Sequence, residues 1–189
     1  MIDNLPAVRK DVIARLLAAS MDRRSAMHTP VVATADADAR IMVLRGFDPT
    51  NWTLRFHTDV RSPKAAFIGE GAPLGVLFYD AAEKVQIRCR GTGWIETGSR
   101  QVQEFWEASD LFARRCYLGV PPGERSEYPS SGLPGSAEGV RPSEAELEPA
   151  RKNFAALFCR VETIDWYCLS SGGHRRAILE ADKAGWVTP

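Results

Sequence analysis

The sequence predicts a mainly β protein of the α+β class, a small antiparallel barrel with flanking helices. Three observations carry that expectation. Short β-branched or alternating runs recur along the chain, and turns rich in Gly, Pro, Asp and Asn separate them. Helical periods are few, and they never alternate one for one with the strands as a parallel sheet would require. The 189 residues suit one domain able to bury its own core. A single domain is therefore expected over 1–189, with an N-terminal helical segment in 1–27 and an irregular loop at 121–142.

The elements follow in order. Residues 6–21 read as an amphipathic helix, with Pro6 near its start and Val8, Val12, Ile13, Leu16 and Leu17 at helical spacing. Thr29–Thr34 is β-branched and pairs with a strand over 40–45 through the turn at 36–39. Asp48-Pro49 marks the next turn, and TLRFHT at 53–58 is a further strand. Ser62-Pro63-Lys64-Ala65 opens a helix over 62–69, Ser62 as N-cap and Pro63 at the first helical position. Strands follow at 74–79 and 84–96. In the second, Val85, Ile87 and Cys89 face one way and Gln86, Arg88 and Arg90 the other. Helices are expected over 98–109, where Phe105 and Trp106 serve packing, and over 110–118.

Residues 121–142 hold five prolines and four glycines, which excludes a regular element. Ser143 and Glu146 form a capping box, opening a helix that carries Leu147, Ala150, Phe154 and Leu157. Strands at 158–169, 175–180 and 185–188 close the sheet.

Composition narrows the function. Hydrophobic residues at 44% and charged residues at 25% describe an ordinary globular protein. Lys plus Arg equals Asp plus Glu, 24 each, so no global field draws nucleic acid or an anionic membrane. An anion site must be local. The four cysteines include no C-x-x-C pair, and with three histidines they offer no zinc spacing; no metal is expected. Cys89 and Cys159 lie in apolar runs as buried thiols, which suits a reducing compartment. No basic-then-apolar leader and no run of the roughly 20 apolar residues of a membrane span occurs. A soluble, cytoplasmic protein without a membrane partner is expected.

The start of the 62–69 helix holds the sharpest local signal. Its first turn lacks the acid that would answer the free N–H groups, and the first carboxylate is Glu70 near the far end. Arg61 and Lys64 flank Ser62, and Thr58 adds a hydroxyl upstream. This is either a site for a phosphate monoester or a surface helix start with two solvated cations. No Ser-His-Asp set or carboxylate pair emerges, which suits a protein whose cofactor carries the chemistry.

The order strand, turn, strand, cationic helix start, with RIMVLR at 40–45, His57-Thr58 and Arg61-Ser62-x-Lys64, resembles the pyridoxamine 5′-phosphate oxidase-like family of FMN-binding split barrels. Gln86-Ile87, Asp165-Trp166-Tyr167, Gly173-His174-Arg175-Arg176 and the closing Trp186-Val187-Thr188-Pro189 extend the match. It covers about 30–96 well and 158–189 moderately. The resemblance implies FMN as cofactor. Arg40, Arg61, Ser62 and Lys64 would hold its phosphate, and the backbone along Ile41, Met42, Val43 and Leu44 would follow the ring, with His57 and Thr58 beside it. Gln86, Tyr167 and Arg176 would come from the second subunit of a homodimer.

The implied activity is oxidation of pyridoxamine or pyridoxine 5′-phosphate by hydride transfer to flavin N5 with O₂ as acceptor. Arg45, His174 and Arg175 would bind that substrate. A flavin reductase acting on another small molecule, and an FMN-binding protein without efficient turnover, are the alternatives. The chain departs from the family pattern in five places. The first hairpin is short, Arg45 stands for Lys, Tyr167 stands for Trp, and 105–115 lacks the family's Tyr-Arg-Ser set. Altered spacing after Tyr167 leaves both Arg175 and Arg176 as candidates for the flavin.

Overall fold

The computed structural model describes residues 2–189. The chain divides into two compact units, one comprising Met1–Phe56, Gly71–Gly93 and Phe158–Pro189, the other His57–Glu70 and Trp94–Leu157.

The first unit carries the sheet. Its strands are β1 (Val31–Thr34), β2 (Ala39–Ile41), β3 (Leu44–Asp48), β4 (Thr53–Asp59), β5 (Ala72–Asp80), β6 (Val85–Glu96), β7 (Phe154–Cys168), β8 (Arg175–Glu180) and β9 (Ala184–Trp186), with the ends of β4, β6 and β7 falling in the second unit. The order is β2-β1-β5-β6-β7-β4-β3; β8 pairs with β7 and β9 with β8. The pairings in register are antiparallel. On β6 the expected alternation holds: Val85, Ile87 and Cys89 are buried, while Arg88 and Arg90 are exposed.

Helix α1 (Leu5–Met21) packs on β3, β8 and β9. The Asn4 side chain caps it, accepting from Ala7 N at 2.9 Å. Val8, Val12, Leu16 and Ala19 form its fully buried face. Each larger aliphatic side chain so buried contributes about 1.5–3 kcal/mol. A polar tie reinforces the contact: the Trp166 indole donates to Asp11 at 2.8 Å, and Arg15 pairs with Asp11 at 2.9 Å.

Two expected elements differ. The strand over 40–45 splits into β2 and β3, and Met42-Val43 lies between them. There the amides of Met42 and Leu44 donate to the carbonyls of Pro30 and His28 at 3.0 and 2.9 Å. Pro30 has no N–H to return, so the ladder is one-sided at that point. The helix opened at Ser143 also stops early. Its capping box forms, but α5 spans only Glu144–Leu147, a 3₁₀ segment runs Glu148–Asn153, and Phe154 and Leu157 belong to β7. Pro149 cannot donate to the carbonyl of Ala145, which removes the bond that would extend the helix.

The second unit holds α2 (Pro63–Ile68), α3 (Arg100–Glu107) and α4 (Leu111–Arg114), and an aromatic cluster that includes Trp106 of α3. The helix expected over 110–118 appears as α4 followed by a 3₁₀ turn at Arg115–Leu118. Trp106, 1% exposed, meets Tyr117 and Phe154 edge-on with centroids 6.0 and 5.4 Å apart. Buried Arg114 lies 5.1 Å over the Trp106 ring and donates to Glu144 at 2.7 Å. The 121–142 stretch is irregular but for one 3₁₀ turn at Gly135–Ala137.

Two expectations can be measured. Strands β6 and β7 approach so closely at Gly91 that a Cβ there would lie 1.9 Å from the Arg160 carbonyl oxygen. Gly91→Ala should lower stability by about 1–3 kcal/mol, while Gly71→Ala, with nothing within 4 Å, should stay within about 0.5 kcal/mol in urea denaturation. Equal effects would contradict the close approach. Burial also pushes the Cys159 thiol up to about 12 and raises that of Cys89. A thiol reagent at mildly alkaline pH should therefore label exposed Cys116 first, and Cys89 and Cys159 only on unfolding.

Candidate functional site

The second unit concentrates Thr58, Arg61, Ser62 and Lys64 where β4 gives way to α2. The chain reverses through a tight turn in which Ser62 N donates to Asp59 O at 3.1 Å. Asp59, 7% exposed, accepts the Arg61 backbone N–H at 2.8 Å and the same residue's Nε and Nη2 at 2.9 and 2.6 Å. Arg61 Nη1 donates to Gly119 O at 3.0 Å and Nη2 to Tyr117 O at 3.4 Å. The guanidinium is thereby fixed from three sides. The hydrogen bond to Asp59 is the main reason its pKa is raised.

This corrects the picture of a bare pair of cations. Asp59 answers Arg61 directly, so Arg61 braces the turn. Ser62 occupies the N-cap position of the six-residue α2, yet its side chain makes no cap hydrogen bond. Its hydroxyl donates to Asp59 O at 2.7 Å and accepts from Lys64 Nζ at 3.3 Å. The signal for the lock was present in the sequence: Asp59-Val60-Arg61 is an Asx-turn arrangement, in which a short carboxylate bonds the backbone two residues on.

Thr58 supplies the most informative atom. The residue is 4% exposed, and its Oγ1 is a buried polar atom with no hydrogen-bond partner among the described residues. A buried hydroxyl left unmatched costs about 1–3 kcal/mol. Native structures rarely carry that cost without an absent partner to supply the bond. An acceptor-rich group such as a phosphate monoester satisfies it, so the donor set fits an FMN phosphate. His57, on the same strand, packs against Phe154 and Phe105 at 4.8 and 6.1 Å between ring centroids.

The first unit holds the other candidates. Arg40 is bound within the first hairpin, donating to Thr34 Oγ1 at 3.1 Å and pairing with Asp38. Ile41 is 70% exposed, whereas Met42 and Leu44 are buried. Because the Met42 and Leu44 amides are taken, strand alternation directs the Val43 peptide to the opposite side. Arg45 is the extra residue of a β-bulge, for Leu44 faces Phe56 and Gly46 faces Arg55. Its side chain is exposed, and its carbonyl accepts Arg55 Nη2 at 2.6 Å. A Cβ on Gly46 would lie 2.9 Å from Arg55 Nε, so the Arg55 guanidinium lies directly against the glycine in this arrangement.

Gln86 stands opposite Tyr79, and Tyr167 opposite Arg176. The rings of Tyr167 and His174 lie 5.9 Å apart, and Arg175 donates to His174 O at 3.0 Å. Arg176 grips Asp165 through Nε and Nη2 at 3.0 and 2.9 Å, and Arg88 binds the same carboxylate, which is 5% exposed. The hydrogen bond to Asp165 raises the Arg176 pKa. Sequence reading passed over Asp59, and it named Asp165 only within the Asp165-Trp166-Tyr167 match, without a role for its carboxylate.

Residues 9–97 match the family model described as pyridoxamine 5′-phosphate oxidase, FMN-binding domain. That segment is similar to FMN-binding domains of the pyridoxamine 5′-phosphate oxidase type. The fold agrees. A pyridoxamine 5′-phosphate oxidase-related, FMN binding protein from Nostoc punctiforme superposes with a TM-score of 0.74 over 100% of both chains at 22% identity. PhzG from Burkholderia lata, in complex with tetrahydrophenazine-1-carboxylic acid, gives 0.69 over 98% of this chain and 92% of its own at 16% identity. A protein related to general stress protein 26 from Clostridium acetobutylicum gives 0.56 over 96% and 98% at 14% identity. At these identities the likeness establishes a split-barrel fold, mainly β with flanking helices. Comparison with curated proteins returned no match. No helix among the described residues is long and apolar enough to cross a membrane.

The lock at Asp59 can be tested in the apo-protein. Breaking a fully buried ion pair costs about 3–5 kcal/mol. Because the Arg61 side chain keeps 24% exposure, Asp59→Asn should cost on the order of 2 kcal/mol in urea denaturation. An unchanged midpoint would show that the turn does not depend on the pair.

Proposed function

We propose that the protein is an FMN-dependent oxidoreductase working as a homodimer. Thr58 and Lys64 hold the FMN phosphate, Ser62 positions Lys64, and Arg61 keeps their turn in shape. The observation that carries this reading is the partnerless buried hydroxyl of Thr58 beside a turn that already presents Ser62 Oγ and Lys64 Nζ together. A phosphate accepts from the Thr58 hydroxyl and from Lys64 Nζ, and its charge answers the lysine; Ser62, whose single O–H is given to Asp59 O, acts by holding Lys64 Nζ in place. The chemistry FMN supplies when bound is acceptance of a hydride at N5, after which O₂ takes the two electrons.

The protein's own groups bind and orient. Arg45, turned outward by the bulge, is the proposed anchor for an anionic group of the substrate, with His174 and Arg175 beside it on the β7–β8 turn of the partner copy. Gln86 and Tyr167 are proposed to face the cofactor of that copy. Pyridoxamine or pyridoxine 5′-phosphate is the substrate this assignment favours. One observation favours a second reading, a reductase for another small molecule. On α3, where the family's Tyr-Arg-Ser set is missing, Phe105 lies against His57. Peroxide released on adding pyridoxamine 5′-phosphate supports the oxidase. Bleaching of the flavin by NAD(P)H, without peroxide on that substrate, supports the reductase.

Two variants test the phosphate site. Charge-assisted hydrogen bonds contribute about 1.5–3 kcal/mol each, so Lys64→Ala should weaken FMN binding roughly ten- to a hundredfold and riboflavin binding far less. An equal loss for both flavins would remove Lys64 from the phosphate. Thr58→Val replaces the lone hydroxyl with a methyl group. The apo-protein should be no less stable and gain up to about 1 kcal/mol, while FMN affinity falls about tenfold. Unchanged FMN affinity would mean that Thr58 serves no ligand.

A further inference from the structure

The first unit contains a cavity of about 370 Å³ whose lining includes Arg9 of α1, Trp52 before β4, Arg160, Glu162 and Ile164 of β7, and Leu179 of β8. Its size is that of a small-molecule site. Strand alternation puts it on the sheet face away from the proposed flavin contacts. Ile164 stands opposite Leu179 on that face, and Trp166, two positions on, reaches Asp11 of α1. Tyr167 and its neighbour Arg176 fall on the other face. No residue proposed for FMN, for its substrate or for the partner copy lines the cavity.

Trp52 is the unusual wall. Its φ is +50°, a left-handed backbone that a bulky aromatic residue rarely adopts. Three contacts hold it there. Val161 N donates to Trp52 O at 2.8 Å, the Phe47 ring meets the indole edge-on with centroids 5.9 Å apart, and the Arg9 guanidinium sits 5.2 Å over the ring. Arg9 is itself held, donating to Glu180 O at 3.3 Å. Backbone strain persists where surrounding contacts overdetermine it, and it collects at ligand sites.

The rim supplies two opposite charges. Arg160, Glu162 and Ile164 alternate onto one face of β7, so a guanidinium, a carboxylate and an apolar side chain form a row at a spacing of roughly 7 Å. Thr92 Oγ1 donates to Glu162 at 2.8 Å and orients that carboxylate. The exposed Arg160 guanidinium makes no hydrogen bond or ion pair among the described residues. The geometry points to a binding site for a small zwitterion with an apolar body, the chemistry of an aromatic α-amino acid. Its carboxylate pairs with Arg160 and its ammonium with Glu162, while its side chain lies against Trp52, Ile164 and Leu179. A guanidinium fork matches the two oxygens of a carboxylate. The oriented Glu162 carboxylate loses little freedom on meeting an ammonium.

The test is calorimetric titration of the FMN-loaded full chain with L-phenylalanine, with hydrocinnamate, which lacks the ammonium, and with phenethylamine, which lacks the carboxylate. L-Phenylalanine should bind about tenfold more tightly than either singly charged analogue. Arg160→Ala should weaken L-phenylalanine and hydrocinnamate about tenfold and leave phenethylamine unchanged. Glu162→Gln, which keeps an acceptor for Thr92, should weaken L-phenylalanine and phenethylamine and leave hydrocinnamate unchanged. Both positions are exposed, so each variant should fold and keep its FMN affinity. The apo-protein should give the same three affinities, which separates this site from the flavin assignment. Failure of L-phenylalanine to bind, equal binding by either analogue, or full L-phenylalanine affinity in either variant would overturn the proposal.

Discussion

A buried carboxylate gripped by arginine is the interaction on which the candidate site depends. Asp59 takes the backbone and the guanidinium of Arg61 at once. Withdrawing a carboxylate from water is expensive, and only close, multiple hydrogen bonds offset the cost. The geometry at Asp59 meets that requirement and leaves little freedom to the turn. Everything expected of the corner follows from that rigidity: the Ser62 hydroxyl aimed at Asp59 O, the lysine drawn to Ser62, and Thr58 held in the last residues of β4.

The same device recurs on the sheet. Asp165 accepts from Arg176 and Arg88, and its burial is possible because two cations share one anion. In both places the acid positions the arginines as much as it neutralises them. The chain as a whole carries equal numbers of basic and acidic residues, yet the acids beside the arginine clusters are outnumbered locally. Net charge thus says little about where an anion is bound. Distribution, burial and unspent donors decide it.

The comparisons and the geometry bear on different questions. The family model covers 9–97 and gives the cofactor type of that segment, while the solved neighbours give the fold. Neither indicates which side chain meets the phosphate. The proposal made for that contact rests on an atom of this chain, the Thr58 hydroxyl, whose buried oxygen needs a partner that the described residues do not provide. The departures at Arg45 and in the 105–115 segment shift attention from a fixed substrate toward the general problem of holding a small anion near the sheet.

Sequence alone determined what local chemistry dictates. Period-two alternation marked the buried face of β6, the Ser143–Glu146 capping box was legible, and the prolines and glycines of 121–142 excluded a regular element. Each depends on residues a few positions apart, so no distant partner is needed to read it. The apolar run from Phe154 to Leu157 was ambiguous, because a short hydrophobic stretch satisfies helix and strand alike until a neighbouring strand takes its hydrogen bonds. Strand 40–45 was misjudged for a related reason: Pro30, on a different segment, governs where its ladder lapses. Only the tertiary structure decided that Arg61 is spoken for, that Thr58 is not, and that Asp165 serves two arginines. Those facts turn on burial and on contacts between residues far apart in the chain, because the cost of an unmatched charge or hydroxyl arises only once water is excluded.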